Sequence, residues 1–242
     1  MEVRLKLSKE DGAPPADATE YRGIIGCLRY LVNTRPDIAL AVGVTSRYME
    51  ASSTRHWTAV KQILRYIRGT LHYGCCKRGS DGPSLVGYSD SDHAGDTNDR
   101  KSTSSVVYFL GGSVVTWTSQ KQKVVAISSC EAQYVAAAAA TCQGVWLSRL
   151  LADLTGRSVE KFQLLIDNKS AIALSKNLVH HDRSKHIDIK YHYIRQCIEE
   201  GKVEVDHIGT DNQLADILTK ALGRVRFVEM REKLGVVAVQ QA

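Results

Sequence analysis

At the run GSDGPS, residues 79 to 84, the chain changes the period of its hydrophobic pattern, and this change constrains the fold more than any other feature. Before it, apolar residues recur at helical spacing. Tyr21, Ile24, Ile25, Leu28 and Leu31 form one stripe, in a helix with Thr19 as its expected cap that ends near Val32. Pro36 suits the first turn of a second helix through Ile38, Val42 and Tyr48. A third runs from His56 to Gly69, with Trp57, Val60, Ile63, Leu64 and Ile67 on one side and Lys61, Arg65 and Arg68 elsewhere. After the joint, LVGYSDSD, KSTSSVVYFLGG and SVVTWTSQKQKVVAI read as strands, the last two joined across Gly111 and Gly112 as a hairpin.

A helix then starts near Ser128 or Ser129, crosses the alanine run at 136 to 140 and reaches about Leu154. The strand KFQLLID, a helix from Asn168 to about Lys176, a helix from about His186 to Glu200, the strand KVEVDHI and a helix holding Asp216 complete the order. Three antiparallel strands followed by strand and helix alternation predict an α/β protein, a mixed sheet with helices on its faces. The expected division is a helical segment at 1–83, a sheet domain at 84–224 and a partly helical tail at 225–242.

Four acidic residues stand at four junctions of this pattern: Asp90 in GYSDSD, Glu131 in SSCEAQY, Asp167 in LLIDNKS and Asp216 in QLADILTK. Carboxylates distant in sequence that return to one sheet are what a two-metal phosphoryl-transfer site requires. Each has a plainer reading. Asp90 shares a strand face with Val86, Tyr88 and Asp92, where two carboxylates are costly without neutralising cations; DSDHAGD also loosely matches a calcium loop, but Lys101 stands at its twelfth position. Glu131 completes a capping box with Ser128. Asp167 suits a helix cap as well as a strand end, and Asp216 suits an i,i+4 ion pair with Lys220.

Composition narrows the setting. With 43% apolar and 24% charged residues among 242, the chain can bury a core. No stretch is expected to span a bilayer, and MEVRLKLSKEDGAPPAD lacks the apolar core of a secretory signal, which predicts a reducing compartment. Six cysteines without CxxC spacing predict free, mostly packed thiols. Of the net charge of +6, +5 belongs to residues 1 to 83, with 13 Lys and Arg against 8 Asp and Glu. A basic helical part beside an acidic pocket fits a protein that grips a phosphate backbone and cuts it, or simply a solvated helix face.

The words YRGIIGCLRYLVNTRPDIALAV, HWTAVKQILRYIRGT, VGYSDSDHAGD, RKSTSSVVYFLGGSVVTWTSQKQKVVAISSCEAQY, LLIDNKSAI, KHIDIKYHYIR and QLADILTKAL, in this order, resemble the C-terminal part of a copia-type LTR retrotransposon Pol polyprotein. The resemblance covers nearly the whole chain. It implies a ribonuclease H-like, five-stranded mixed sheet flanked by helices and preceded by thumb or connection helices of a reverse transcriptase. No polymerase core lies upstream, so polymerase activity is not expected of this chain. The implied activity is metal-dependent hydrolysis of the RNA strand of RNA–DNA hybrids, with two Mg²⁺ ions (Mn²⁺ as substitute) held by Asp90, Glu131, Asp167 and Asp216.

In the family word S-S-x-E-A-E-Y the first glutamate, here Glu131, is taken as the metal ligand, and Gln133 stands in place of the second acid. His93 replaces a tryptophan of the word D-A-D-W-A-G-D. Ser129, Asn168 and Gln120 are candidate donors to the hybrid, and Lys121, Lys123, Lys220, Arg65 and Arg68 candidate phosphate contacts. His186 and His192 are assigned structural or phosphate-facing roles, and His180, His181 and His207 show no zinc spacing. Implied partners are the hybrid and the polymerase part of the same polyprotein, with no membrane, in a cytoplasmic virus-like particle or the nucleus and not secreted. Two alternatives compete: a retrotransposon-derived host protein that binds nucleic acid or protein without cleavage, and a related integrase-type nuclease.

Overall fold

Asp17, and not Thr19, starts the first helix. Its Oδ1 accepts the backbone N–H groups of Thr19 and Glu20, satisfying two donors that a helix start leaves free. The structure, a computed structural model, describes residues 6–77, 84–156, 161–176 and 192–239. After α1 (Ala18–Leu31) a short 3-10 turn at Pro36–Ile38 leads into α2 (Ala39–Thr45), and Ser53 caps α3 (Thr54–Arg68). Tyr21, Ile25, Leu28, Ile38, Val42, Val60 and Ile63 form the core of this bundle. A buried Arg35–Asp37 pair at 2.7 Å ties it to the chain after α3, with the Tyr66 hydroxyl donating to Asp37 and Arg35 donating to the Thr70 carbonyl. β1 (Tyr73–Cys75) follows. Most of the GSDGPS joint, 79–83, lies outside the described residues.

β2 (Leu85–Ser91), β3 (Thr103–Leu110) and β4 (Ser113–Lys121) form an antiparallel meander, and the β3 to β4 hairpin turns on Gly111 and Gly112, both at positive φ as such a two-residue turn demands. α4 (Ser129–Thr155) crosses the sheet, and β5 (Phe162–Ile166), α5 (Lys169–Lys176), α6 (Tyr193–Glu199) and β6 (Val203–His207) follow. The first part of the helix expected from His186 lies outside the described residues. Strand order is β4-β3-β2-β5-β6, with β5 parallel to β2 and β6 parallel to β5. This is the expected mixed five-stranded sheet with flanking helices, preceded by a helical segment.

α4 is long and apolar enough, by length and composition alone, to cross a bilayer, which corrects the expectation that no stretch is. In the fold it is the central helix, with Tyr134, Ala137, Ala140 and Val145 packed on Tyr108, Phe162, Leu164 and Ile166. The opposite face of the sheet is covered by other parts of the chain. Val107, Phe109 and Val114 pack there with Ala39, Ile217, Leu218, Met230, Leu234 and Val236.

Asp216 lies in a 3-10 turn, Leu214–Leu218, and not in the α-helix expected. Side chains of the sheet take the carbonyls that a longer helix would use: Ser105 Oγ donates to Ala215 O at 2.9 Å and Ser119 Oγ to Leu218 O at 2.6 Å. α7 (Arg224–Lys233) and β7 (Val236–Ala238) complete the described chain, and β7 pairs antiparallel with β1. All six cysteines are free, though Cys27 and Cys142 are exposed and not packed.

Candidate functional site

Parallel pairing sets Ser89 of β2 opposite Ile166 of β5, so the next residue on each strand, Asp90 and Asp167, stands side by side at the carboxyl ends of the two strands. In open α/β sheets this end is where ligands bind. Asp216 comes in from the 3-10 turn, and one carboxylate oxygen of each of the three lies within 4.8 Å of the others. Among the described residues no other set of three such groups converges.

Buried amides fix the turn that delivers Asp216. Gln213, fully buried, donates from Nε2 to the Ser89 carbonyl at 3.1 Å and accepts the Ala215 N–H on Oε1 at 3.2 Å. The Thr219 hydroxyl donates to Asp90 Oδ2, and the Thr210 hydroxyl reaches Asp167 Oδ2 at 3.5 Å. Asn168, on its Oδ1, accepts the Ala171 N–H and so caps α5, which leaves Asp167 out of the capping role that was its plainer reading.

Electrostatics separate the three acids. Asp90 is 0% exposed, and burial works to raise its pKa, yet the Lys220 ammonium and the Thr219 and Gln133 donors together hold it below the ordinary carboxylate value. Burial and the nearby Asp90 charge push Asp167 upward. For Asp216, burial first and then the Asp90 charge push it up to about 6. Lys220 Nζ sits 2.7 Å from Asp216 Oδ1 and 3.3 Å from Asp90 Oδ2, so the predicted i,i+4 pair exists and reaches a second carboxylate.

Glu131 does not join the trio. Ser128 caps α4 by accepting the Glu131 N–H, but the Glu131 carboxylate, 8% exposed, returns to the Ile127 N–H at 2.8 Å and not to the cap residue's own amide. The side chain of α4 that reaches the acids is Gln133, whose Nε2 lies 2.6 Å from Asp90 Oδ1 and 3.4 Å from Asp167 Oδ1. Two residues apart on an α-helix, positions 131 and 133 point about 200° from each other, so only one of them can face the acids. A further glutamine, Gln122, sets the position of this helix start: its Nε2 bonds Ala132 O, Ser104 Oγ and Ser91 Oγ. Sequence reasoning missed Gln122 and Gln213 altogether and saw Gln133 only as a departure from a word.

The other expected contacts divide. Ser129, Gln120 and Lys123 are exposed, as are Arg65 and Arg68 on α3. Lys121 is engaged, at 2.8 Å from Asp96 and 2.9 Å from Asp99, and Asp96 also pairs with Arg47. Asp92 accepts the Thr103 N–H and so closes the end of the β2–β3 ladder. His93 and His207 are exposed, and His192 Nδ1 meets the Tyr134 hydroxyl at 3.0 Å. His180, His181 and His186 lie outside the described residues.

Carboxylate oxygens in this number suit a hard divalent cation such as Mg²⁺ or Mn²⁺. Gln133, the amide beside them, turns Nε2 to the acids and leaves Oε1 buried with no hydrogen-bond partner.

No family model matches the chain. It is 42% identical over 239 residues to the retrovirus-related Pol polyprotein from transposon RE2 of Arabidopsis thaliana, covering 99% of this chain and 16% of that polyprotein. To the retrovirus-related Pol polyprotein from transposon TNT 1-94 of Nicotiana tabacum it is 44% identical over 217 residues, covering 89% and 16%. The N-terminal RNase H domain of rv2228c from Mycobacterium tuberculosis overlaps 62% of this chain and 98% of that one, at 13% identity and a TM-score of 0.42.

Proposed function

Since the chain belongs to the family of copia-type retrotransposon Pol polyproteins, of which it spans 16% of the length, we propose that it hydrolyses the RNA strand of RNA–DNA hybrids as a metal-dependent ribonuclease H. The observation that carries this reading is the convergence of Asp90, Asp167 and Asp216 within 4.8 Å at the carboxyl ends of two parallel strands. These three would hold the divalent ions. When bound, such ions lower the pKa of a water and stabilise charge on a leaving oxygen.

The remaining tasks fall to the chain's own side chains. Thr219 and Lys220 hold the Asp90 carboxylate in one orientation, and Thr210 does the same for Asp167. We assign Lys220, part-exposed beside two of the acids, to a backbone phosphate. The exposed Ser129, Gln120 and Lys123 supply polar and charged contacts to the strands, where 2′-hydroxyl groups and backbone shape distinguish a hybrid without reading base sequence.

Incubating the protein with labelled RNA–DNA hybrid and Mg²⁺ or Mn²⁺, beside double-stranded RNA and double-stranded DNA, tests the reading. Cleavage of the hybrid's RNA strand alone is expected, with Asp90→Asn slower by about two orders of magnitude. Duplex DNA cleavage, or a hybrid cut equally well by Asp90→Asn, overturns it. One observation favours a second reading, hybrid binding without cleavage: an amide, Gln133, stands against the acids. That reading predicts unchanged hybrid affinity and no cut strand.

A further inference from the structure

Gln133 is 5% exposed, and its side-chain amide touches two of the three clustered carboxylates. Its Nε2 donates to Asp90 Oδ1 at 2.6 Å and to the Ser91 carbonyl at 3.2 Å, and lies 3.4 Å from Asp167 Oδ1. The orientation of this amide is fixed by its surroundings. Turned over, it would set Oε1 against the Asp90 carboxylate, oxygen against oxygen, whereas as it stands every neighbour of Nε2 is an acceptor. The consequence is Oε1, buried and without a partner, a cost accepted so that the N–H groups can face the acids.

We propose that Gln133 sets the metal affinity of this site: its amide bridges Asp90 and Asp167 as an uncharged substitute for a cation, holding the cluster together without metal and making divalent ions bind weakly. An ion entering between the two carboxylates must displace Nε2 and break the hydrogen bonds it makes. A glutamate at 133 would reverse both effects, since it repels the empty cluster and adds an oxygen ligand to the filled one. Glu131 does not supply that ligand, because its carboxylate is turned to the Ile127 N–H. The proposal rests on reading the trio as a divalent-cation site.

Mn²⁺ titration of the full chain, followed by the spin-resonance signal of free Mn²⁺, tests it. Relative to wild type, Gln133→Glu is expected to bind about tenfold tighter or more, Gln133→Ala severalfold tighter, and Glu131→Gln with unchanged affinity. Without metal, Gln133→Glu is expected to melt lower than wild type and to gain more in melting temperature when Mn²⁺ is added. Should Gln133→Glu not fold, Gln133→Ala decides: weaker Mn²⁺ binding than wild type makes the amide a ligand and overturns the proposal, as does equal affinity across the Gln133 variants. The two readings fail separately. Hybrid cleavage that depends on Asp90, with equal Mn²⁺ affinities, removes this proposal and leaves the nuclease. Tighter Mn²⁺ binding by Gln133→Glu with no cut hybrid supports the proposal and removes the nuclease.

Discussion

His56 takes the place of a glutamate at the start of α3. Its Nδ1 accepts the Ser53 N–H at 3.0 Å while Ser53 Oγ accepts the His56 N–H, a capping box closed by an imidazole. Nε2 must then carry the proton, donated to the Ser8 carbonyl at 3.0 Å, and the ring stacks on Tyr48 with 3.9 Å between centroids. A second proton, on Nδ1, would face the Ser53 N–H. Burial accordingly holds the His56 pKa below its ordinary 6.5. The folded protein takes up this proton less readily than the unfolded chain, so the stability His56 contributes is complete above pH 6.5 and is lost as pH falls through the lowered value. His56→Gln, weaker than wild type at pH 7.5, is expected to lose part of that deficit in urea midpoint at pH 5, where the His56 contribution has fallen away.

At the same scale, the candidate site was only partly legible. Asp90 and Asp167 could be read because each ends an apolar strand, where chain direction alone decides what a side chain can reach. Glu131 and Gln133 could not be told apart, because the choice depends on the phase of α4 over the sheet. That phase is set by Gln122, just past the end of β4, holding the Ala132 carbonyl of α4, a contact between residues ten apart that no local pattern encodes.

The elements were more legible than their contacts. Ser128 as the start of α4 and Gly111-Gly112 as a hairpin turn follow from local backbone chemistry and were found as expected. The segment holding Asp216 is expected to be a helix, with Lys220 one turn on, but bonds from β3 and β4 to its carbonyls end it as a 3-10 turn after five residues. How closely α4 approaches the sheet is set at Gly144. A Cβ there would lie 2.4 Å from the Phe162 ring and 2.4 Å from the Tyr108 hydroxyl, itself bonded to the Ala140 carbonyl. Gly144→Ala is therefore expected to destabilise the protein by about 1–3 kcal/mol despite the better helix propensity of alanine, measured by urea unfolding. In the bundle, Asp37→Ala strips Arg35 of its buried partner and is expected to cost about 3–5 kcal/mol, by the same measurement.

For the whole molecule, the change of period at GSDGPS marks where helices give way to strands, while the core runs across it. Ala39 of α2 shares a cluster with Val107 and Phe109 of β3, and the Trp117 indole N–H donates to the Val32 carbonyl at 3.0 Å. A chain starting at residue 84 uncovers that face of the sheet. It is expected to show red-shifted Trp117 emission and a lower, broader melting transition than the full chain.

The pairing of β1 with β7 carries a consequence for the order in which the protein is made. Translation delivers β1 early and β7 only after all five strands of the sheet have been synthesised. Throughout that interval Tyr73, Gly74 and Cys75 lack the strand they pair with in the folded chain. A chain that ends before Val236 leaves β1 unpaired and also takes a member from the cluster in which Val236 packs with Ile217 and Leu218, the neighbours of Asp216, so the clasp and the turn that delivers the acid share one support.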